Sequence, residues 1–379
     1  MTRRFLTGAR ILGASGWLDQ HALVIEGPVI AAIVPDADIA ADQTERLAGG
    51  YLMPGFIDVQ VNGGGGVLFN DDPTVEAIAA IGAAHRRFGT TGFLPTLISD
   101  SPDKVAQAIR AVSDAIASHI PGVLGLHIEG PYLNVAKRGI HDASQIRSMD
   151  QAAIDLLSSL DRGVTMVTIA PELAPPGAVA ELARRGVVVM AGHSLASYDV
   201  VGDAAAAGLA GVTHLFNAMT QLEGRSPGLV GAALDLGLYA GLIADGHHVH
   251  PASCRIAYRS LGPERLVLVT DAMPTVGSSG TKFQLGDTEI VYAEGKLRNR
   301  DGTLAGSHLD MAQAVRNSMT MLGISLAEAS TLASATPASL LGMARVRGTL
   351  APGRAADLVH LDDKLQVAGC WIAGEIEAA

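Results

Sequence analysis

Four strand-like runs in the sequence each end in a residue that can bind a metal ion or carry a proton: Glu129, His193, His214 and Asp271. Glutamate and histidine are common metal ligands, and a nearby aspartate can accept a proton from water. Each residue alone has a plainer explanation, as a helix or turn cap for the carboxylates and as a hydrogen-bonded core residue for the histidines. Together, at the mouths of buried strands, they favour a metal-assisted hydrolase in which Glu129, His193 and His214 are ligands and Asp271 is the acid/base group.

The elements that must position these residues alternate between strands and helices. Segments such as 75–88, 102–118 and 199–207 have helical periodicity. The apolar, strand-like runs are 56–61, 91–97, 123–129, 164–169, 187–191, 212–216, 238–244 and 266–270. Eight strand–helix units predict an α/β fold, a (β/α)8 TIM-like barrel whose active site lies at the carboxyl ends of the strands. A doubly wound sheet is the rival, although it rarely has polar residues at so many strand ends.

Short strand-like segments separated by Gly, Asp and Pro dominate both ends of the chain. We expect a small β-sandwich built from residues 1–53 and 347–379, with strands at 5–12, 21–26, 29–34, 356–361 and 365–375. The barrel then spans 54–346, and a hairpin insertion lies near 281–301. Because chain ends often lie close together in folded proteins, a domain shared by the two ends is reasonable.

Composition excludes several classes of protein. The chain has 379 residues, 48% of them hydrophobic and 17% charged, which favours a large packed core over disorder. A formal net charge of −11 disfavours nucleic-acid binding. The sequence has no run long and apolar enough to suggest a membrane span, and its N-terminus does not resemble a secretion signal. Only two cysteines are present, Cys254 and Cys370, so we expect a reducing, cytoplasmic location.

The first barrel strand carries the motif Pro-Gly-Phe-Ile-Asp, ending at Asp58, which resembles the amidohydrolase superfamily. In that superfamily a pair of metal-binding histidines usually follows, whereas here the positions hold Gln60 and Asn62. An amide binds metal much more weakly than an imidazole does. The departure therefore predicts one metal ion, not two.

Further motifs are similar to the N-acetylglucosamine-6-phosphate deacetylase family over nearly the whole chain. They include His127-x-Glu129-Gly130-Pro131, Thr213-His214-Leu215-Phe216-Asn217 and Leu304-Ala305-Gly306-Ser307. The resemblance implies a homodimer with one divalent metal per subunit on Glu129, His193 and His214. Zinc is the expected metal, although iron, manganese and cobalt can use the same ligand set.

The resemblance also implies the roles of the residues around the metal. Asp271 would be the acid/base group, and His141 would stabilise the oxyanion. Arg225 and His248 would bind a phosphate, and a guanidinium can do so with two parallel hydrogen bonds. We expect His127 to lie one layer below Glu129 as a buried, hydrogen-bonded residue. The complete set of residues expected to line the substrate pocket is Ile140, His141, Asn217, Ala218, Arg225, Asp245, His248, Leu304, Ala305 and Gly306.

The activity implied is metal-dependent deacetylation of N-acetyl-D-glucosamine 6-phosphate to D-glucosamine 6-phosphate and acetate, in amino-sugar catabolism. Three alternatives stay open. The first is the same reaction on the galactosamine epimer, and the second is another amidohydrolase reaction. The third is a non-catalytic sugar-phosphate sensor on the same barrel, which would need the metal ligands but not Asp271.

Overall fold

The centre of the molecule is a barrel of eight parallel strands. The computed structural model describes residues 3–39 and 44–376. Neighbouring strands in the barrel follow chain order, and their bounds, from first to eighth, are Phe56–Val61, Thr90–Ile98, Gly125–Glu129, Val164–Ile169, Val188–Ala191, Gly211–Val212, Tyr239–Leu242 and Leu266–Leu268. These are the eight runs expected from the sequence. The sixth strand is shorter than predicted, because the backbone turns to positive φ at His214 and Phe216.

Helices cover the outside of the barrel. The helix Pro102–Ala117 begins at Ser101, whose side chain accepts a hydrogen bond from the Lys104 amide, and buries Val105, Ile109 and Val112 on one face. No described helix has the length and apolar character needed to cross a membrane. The α-helices of the described residues are Val75–Arg86, Pro102–Ala117, Gln151–Leu157, Ala178–Arg184, Tyr198–Ala206, Gly228–Asp235, Pro251–Leu261, Met311–Ser318, Leu326–Ala333 and Ala335–Leu340.

Two further sheets are built from the ends of the chain, and the six-stranded one combines strands from both ends. The four-stranded sheet consists of Arg3–Thr7, His21–Glu26, Val29–Pro35 and Thr44–Arg46. The six-stranded sheet consists of Arg10–Gly13, Gly16–Leu18, Tyr51–Pro54, Leu358–Leu361, Val367–Ile372 and Glu375–Ile376. A barrel with a sandwich from both ends is thus confirmed, while the exact domain boundaries stay a prediction.

The single strand predicted at 5–12 is wrong, because the chain breaks at Gly8. Its φ is +86°, and a Cβ there would lie 2.5 Å from the Leu47 carbonyl oxygen. The residues before and after this glycine therefore join different sheets. The strand predicted at 365–375 is likewise divided, by a turn in which Ala373 and Gly374 have positive φ.

The insertion after the eighth strand has three strands, so the predicted hairpin was incomplete. Lys282–Leu285, Thr288–Ala293 and Lys296–Arg298 form an antiparallel sheet. Ile290 and Leu297 of this insertion pack with Leu68 and Met273, in a small apolar cluster separate from the barrel core. A two-stranded ribbon, Gly63–Gly64 with Val67–Leu68, lies beside it after the first barrel strand. Both additions lie at the carboxyl end of the barrel.

Candidate active site

Glu129, His193 and His214 converge at the carboxyl ends of the third, fifth and sixth barrel strands. Oε1 of Glu129 lies 3.0 Å from Nε2 of His193 and 3.0 Å from Nε2 of His214. The two Nε2 atoms lie 3.0 Å apart. All three side chains are buried, and their ligand atoms lie within 4.8 Å of one another. This is the geometry of a three-ligand metal site with room for further ligands.

The hydrogen bond on the far side of the His193 ring suits metal binding. Its Nδ1 lies 2.8 Å from the Lys137 carbonyl oxygen, which can only accept. Nδ1 therefore carries the hydrogen, and in the neutral ring Nε2 presents its lone pair to the other ligands. Two imidazole nitrogens and a carboxylate oxygen this close need a shared proton or a cation between them. The donor set fits a divalent metal ion.

The charge state of each residue in this group depends on the other two. Burial alone would raise the pKa of Glu129, yet its side-chain hydrogen-bond contacts with His193 and His214 hold it well below its ordinary value. Burial would lower the pKa of His214, but its hydrogen bond to Glu129 raises it. The group therefore favours a carboxylate on Glu129 and a proton on His214. A cation binding there would displace the proton.

Asp271 lies beside this group and is held by two amides. Its Oδ1 accepts a hydrogen bond from Nδ2 of Asn62 at 2.6 Å and another from Nε2 of Gln60 at 3.2 Å. The same Gln60 nitrogen donates to Oε2 of Glu129 at 3.1 Å. Burial first, and the Glu129 charge second, raise the pKa of Asp271 to about 6. A carboxyl with a pKa near neutrality is suited to accept and return a proton.

The tautomer of His141 follows from its neighbours. Its Nδ1 lies 3.3 Å from the backbone N–H of Ser99, which can only donate, and 2.8 Å from the Ser99 hydroxyl. Burial lowers the pKa of His141 to about 3, so the ring is neutral near pH 7. With Nδ1 as acceptor, Nε2 carries the hydrogen. His141 thus offers one N–H donor to a group in the cavity.

The backbone is strained where the site residues leave their strands. His193, His214 and Asp271 all have positive φ, of 48°, 33° and 53°. So does Ala218, at 50°. Such conformations cost non-glycine residues about 1–3 kcal/mol each and cluster at functional sites. No sequence pattern in these segments indicated this strain.

These residues surround a cavity of about 370 Å³ at the mouth of the barrel. Most of the residues predicted from the sequence line it: Glu129, Ile140, His141, His193, His214, Asn217, Ala218, His248, Asp271, Leu304 and Gly306. The volume suits a single sugar-sized molecule. One wall is carried by the loop after the third strand, and another by the loop that follows the inserted sheet.

Three predicted residues do not line this cavity. Ala305 is fully buried beneath the loop that carries its neighbours. Asp245 contacts the cavity residue His248, because its Oδ2 lies 2.6 Å from Nδ1 of that ring. Arg225 is exposed and lines a different surface cavity, together with Tyr198 and Asp235. The structure therefore does not bring Arg225 to the site of its own chain.

Sequence reasoning missed several residues that shape the site. Gln60 and Asn62 were noted only as missing ligands, yet they hold Glu129 and Asp271. Ser99 was not considered, although it directly follows the second barrel strand and so occupies the same kind of position as the residues that were found. Met273, which directly follows the strand-end segment of Asp271, also lines the cavity. These residues could have been found by their position, because any polar residue at the carboxyl end of a barrel strand can face the site.

His127 lies below the site, as expected. It is fully buried, and its ring lies between the hydroxyls of Thr96 and Thr168, at 3.3 and 2.8 Å. Burial lowers the pKa of His127 to about 4. A neutral, doubly hydrogen-bonded ring here fills the barrel interior beneath Glu129.

Known proteins resemble this chain over almost all its length. The amidohydrolase family model matches residues 51–376, and the NagA composite domain matches residues 5–52. The N-acetylgalactosamine-6-phosphate deacetylase of Shewanella sp. (strain ANA-3) is 42% identical, covering 97% of this chain and 94% of that protein. The Homo sapiens N-acetylglucosamine-6-phosphate deacetylase is 39% identical, covering 98% and 93%.

Structural similarity is equally extensive. The crystal structure of N-acetylglucosamine-6-phosphate deacetylase from Pasteurella multocida matches with a TM-score of 0.96 and 33% identity, over 100% of both chains. Family model, sequence relatives and solved structure agree along the barrel and both chain ends. The chain belongs to the amidohydrolase family, in the group that contains the N-acetylhexosamine 6-phosphate deacetylases.

Proposed function

We propose that this protein hydrolyses N-acetyl-D-glucosamine 6-phosphate to D-glucosamine 6-phosphate and acetate, in amino-sugar catabolism. The observation that carries the proposal is the pairing of a metal-competent group with a separately held proton carrier. Glu129, His193 and His214 converge, and Asp271 stands beside them on its own hydrogen bonds. The names of the similar proteins supply the substrate class.

One divalent metal per subunit, zinc in the first instance, is part of the proposal. Glu129, His193 and His214 would hold it, and iron, manganese or cobalt could use the same donors. When bound, the cation supplies Lewis-acid polarisation and lowers the pKa of a neighbouring water molecule. Gln60 and Asn62 favour a single cation, because neutral amides stand where a second site would need imidazoles.

Asp271 moves the proton. Its carboxylate accepts a proton from the water that attacks the acetyl carbonyl carbon. The carboxyl then returns the proton to the sugar nitrogen as the C–N bond breaks, because an unprotonated amide nitrogen is a very poor leaving group. Asn62 and Gln60 both donate to Oδ1 of Asp271, which leaves Oδ2 for the proton.

His141 stabilises the charge that develops on the acetyl oxygen. Its Nε2–H is the donor, since Ser99 fixes Nδ1 as an acceptor. A donor fixed before the reaction stabilises an oxyanion without reorganisation, and one such donor typically contributes about 3 kcal/mol. The neutral ring also avoids adding a positive charge beside the metal ligands.

The phosphate end of the substrate is assigned to His248, which lines the cavity. The Asp245 carboxylate accepts from its Nδ1, which leaves Nε2 for the ligand. Arg225 stays part of the proposal only together with the homodimer. Because it does not line the cavity of its own chain, it would serve the site of a partner subunit.

A cytoplasmic location is also proposed. A phosphorylated sugar carries a charge that prevents free passage through a membrane, so its hydrolase works in the compartment where the ester is made. The buried positions of Cys254 and Cys370 are consistent with a reducing environment.

The test is acetate release by the purified, metal-analysed protein and by its Asp271→Asn variant. We expect turnover of N-acetyl-D-glucosamine 6-phosphate, no comparable turnover of the unphosphorylated sugar, and a loss of about 10³-fold in the variant with metal content unchanged. Binding of the phosphorylated sugar without acetate release would support a sensor. Near-normal activity of Asp271→Asn would refute the role of Asp271.

The galactosamine epimer is the second candidate substrate, because the 42% identical relative is named for it. The same assay with both epimers compares their kcat/KM values directly. A higher value for N-acetyl-D-galactosamine 6-phosphate would replace the proposed substrate while leaving the mechanism intact. Turnover of neither epimer would favour another amidohydrolase reaction.

A further inference from the structure

The first and eighth strands meet at a junction, here called the seam, that differs from every other contact in the barrel. Each other pair of neighbouring strands is joined by a parallel ladder. Between the first strand and the eighth strand, the described residues form no such ladder. Asp271 follows the eighth strand at this seam, so its position depends on whatever else joins the two strands.

Asp58 adds a side-chain connection across this seam, beside the isolated parallel bridge between Val61 and Ala272. It lies on the first strand and is fully buried. Its Oδ2 accepts from the Thr270 hydroxyl at 2.5 Å, and its Oδ1 accepts from the Thr270 backbone N–H at 3.3 Å. Oδ1 also accepts from the backbone N–H of Gln60 at 3.2 Å. One carboxylate therefore binds the residue before Asp271 and the backbone of Gln60, whose side chain binds Asp271 itself.

Thr270 extends this connection to the other side of Asp271. Its hydroxyl oxygen accepts from the Ala272 backbone N–H at 3.2 Å. The backbone N–H of Asp271 donates to the Gln60 carbonyl at 3.0 Å. The residues before and after Asp271 are thus both fixed by the Asp58–Thr270 pair, although Asp271 has a strained φ of 53°.

We propose that Asp58, acting through Thr270, is a positioning residue that orients Asp271 toward the water and the leaving nitrogen. Asp58 touches no reacting atom in this scheme. The inference rests on the proposed function, because it assumes that Asp271 carries the proton. It adds a role for the aspartate of the first-strand motif, in which the amides Gln60 and Asn62 follow.

Thr270→Val is the most direct test, because it removes the hydroxyl and keeps the shape. We expect kcat to fall by about 10–100-fold, with KM within about twofold and metal content unchanged. Thr270→Ser should restore kcat to within about threefold of the wild type, since it returns the hydroxyl. Asp58→Asn should lower kcat at least as much, but Thr270→Val carries the test if that variant does not fold.

Thr336→Val is the matched control. Thr336 is as buried as Thr270, and its hydroxyl donates to the Pro263 carbonyl, away from the site. It should lose stability but keep the wild-type kcat. If Thr270→Val retains wild-type kcat, or loses activity only together with bound metal, the inference is wrong.

A double variant separates positioning from general damage. In the Asp271→Asn background, Thr270→Val should lower the residual kcat by less than about twofold, because the group it positions is already disabled. A full additional loss would show that Thr270 acts on something else and would overturn the inference. Failure of the proposed function would look different, since the wild-type protein would then release no acetate, and failure of the Asp271 role would leave Asp271→Asn alone active.

Discussion

Two sides of the site are built by different means. The ligand side, Glu129, His193 and His214, stands on the third, fifth and sixth strands, which continuous parallel ladders hold. The base side, Gln60, Asn62 and Asp271, stands at the seam, where side-chain and irregular backbone hydrogen bonds replace the ladder. Ligands need only converge on a cation, which itself draws them together. A proton carrier has no such attraction to hold it, so neutral donors around it must fix its orientation.

The largest effect is expected from a substitution in the ligand side. In Glu129→Gln the carboxylate that both histidines contact becomes an amide, so the site loses its only anionic ligand. We expect the bound metal to fall below stoichiometric amounts and kcat/KM to fall by about 10³-fold or more. Elemental analysis and acetate release measure the two effects. Glu328→Gln, which changes a partly exposed carboxylate of a helix capping box away from the cavity, is the control and should change neither.

The next effect concerns the acid stability of the base side. His85 is fully buried, and its Nε2 donates to the Gly63 carbonyl at 2.9 Å, next to Asn62. Burial lowers the pKa of His85 from 6.5 to about 4. The unfolded chain therefore binds a proton to this ring below about pH 6.5, whereas the folded chain does so only near pH 4. Its contribution to stability is complete above pH 6.5 and is lost as the pH falls toward 4.

His85→Gln should remove that dependence. The free energy of unfolding in urea, compared between pH 7 and pH 4, should fall by about 3 kcal/mol less in this variant than in the wild type. The exposed His119→Asn serves as control and should follow the wild type. An unchanged pH dependence in His85→Gln would mean that other groups cause the acid sensitivity.

A smaller effect tests the amides that hold the base. The hydrogen bond from Asn62 favours the ionised form of Asp271 and so lowers its pKa. Asn62→Ala removes this bond and should move the acid limb of the kcat/KM profile upward by about one pH unit. Activity at pH 6 should then fall by about fivefold and recover above pH 8. A profile that drops equally at every pH would mean that Asn62 contacts the substrate and does not tune Asp271.

Much of the ligand side could be predicted from the sequence. The hydrogen bonds that hold Asp271 on the base side could mostly not be predicted. Glu129, His193 and His214 each end an apolar run. The run predicts a buried strand, and the polar residue after it marks the carboxyl end of that strand. Gln60 and Asn62 were correctly seen as poor ligands, but their hydrogen bonds cross to strands distant in the sequence. Asp58 was identified only as the last residue of the Pro-Gly-Phe-Ile-Asp motif, with no role predicted for it. Whether the first and eighth strands form a ladder depends on barrel closure, which no local pattern encodes.

Arg225 is a residue that the sequence placed in the site but that the structure places outside it. A guanidinium in a loop after the sixth strand was a sound candidate for phosphate binding, and its residue type and position were both suitable. The loop nevertheless carries it to the outside of the chain, beside Tyr198 and Asp235. Sequence spacing fixes which strand a residue follows but not the direction of a loop, nor whether a second subunit lies against it.

The smallest expected effect joins the two sides, because His141 faces the ligands yet is fixed by a neighbouring strand. In Ser99→Ala the ring loses the hydroxyl at 2.8 Å and keeps the weaker backbone N–H at 3.3 Å. The tautomer is preserved but the ring is less firmly oriented, so kcat should fall by about threefold, less than the loss expected for removing an oxyanion donor. Metal content should be unchanged. Ser318→Ala, which removes a buried helix hydroxyl away from the cavity, is the matched control. If Ser99→Ala costs as much as removing His141 itself, the backbone N–H does not hold the tautomer, and His141 depends on Ser99 as strongly as Asp271 depends on its amides.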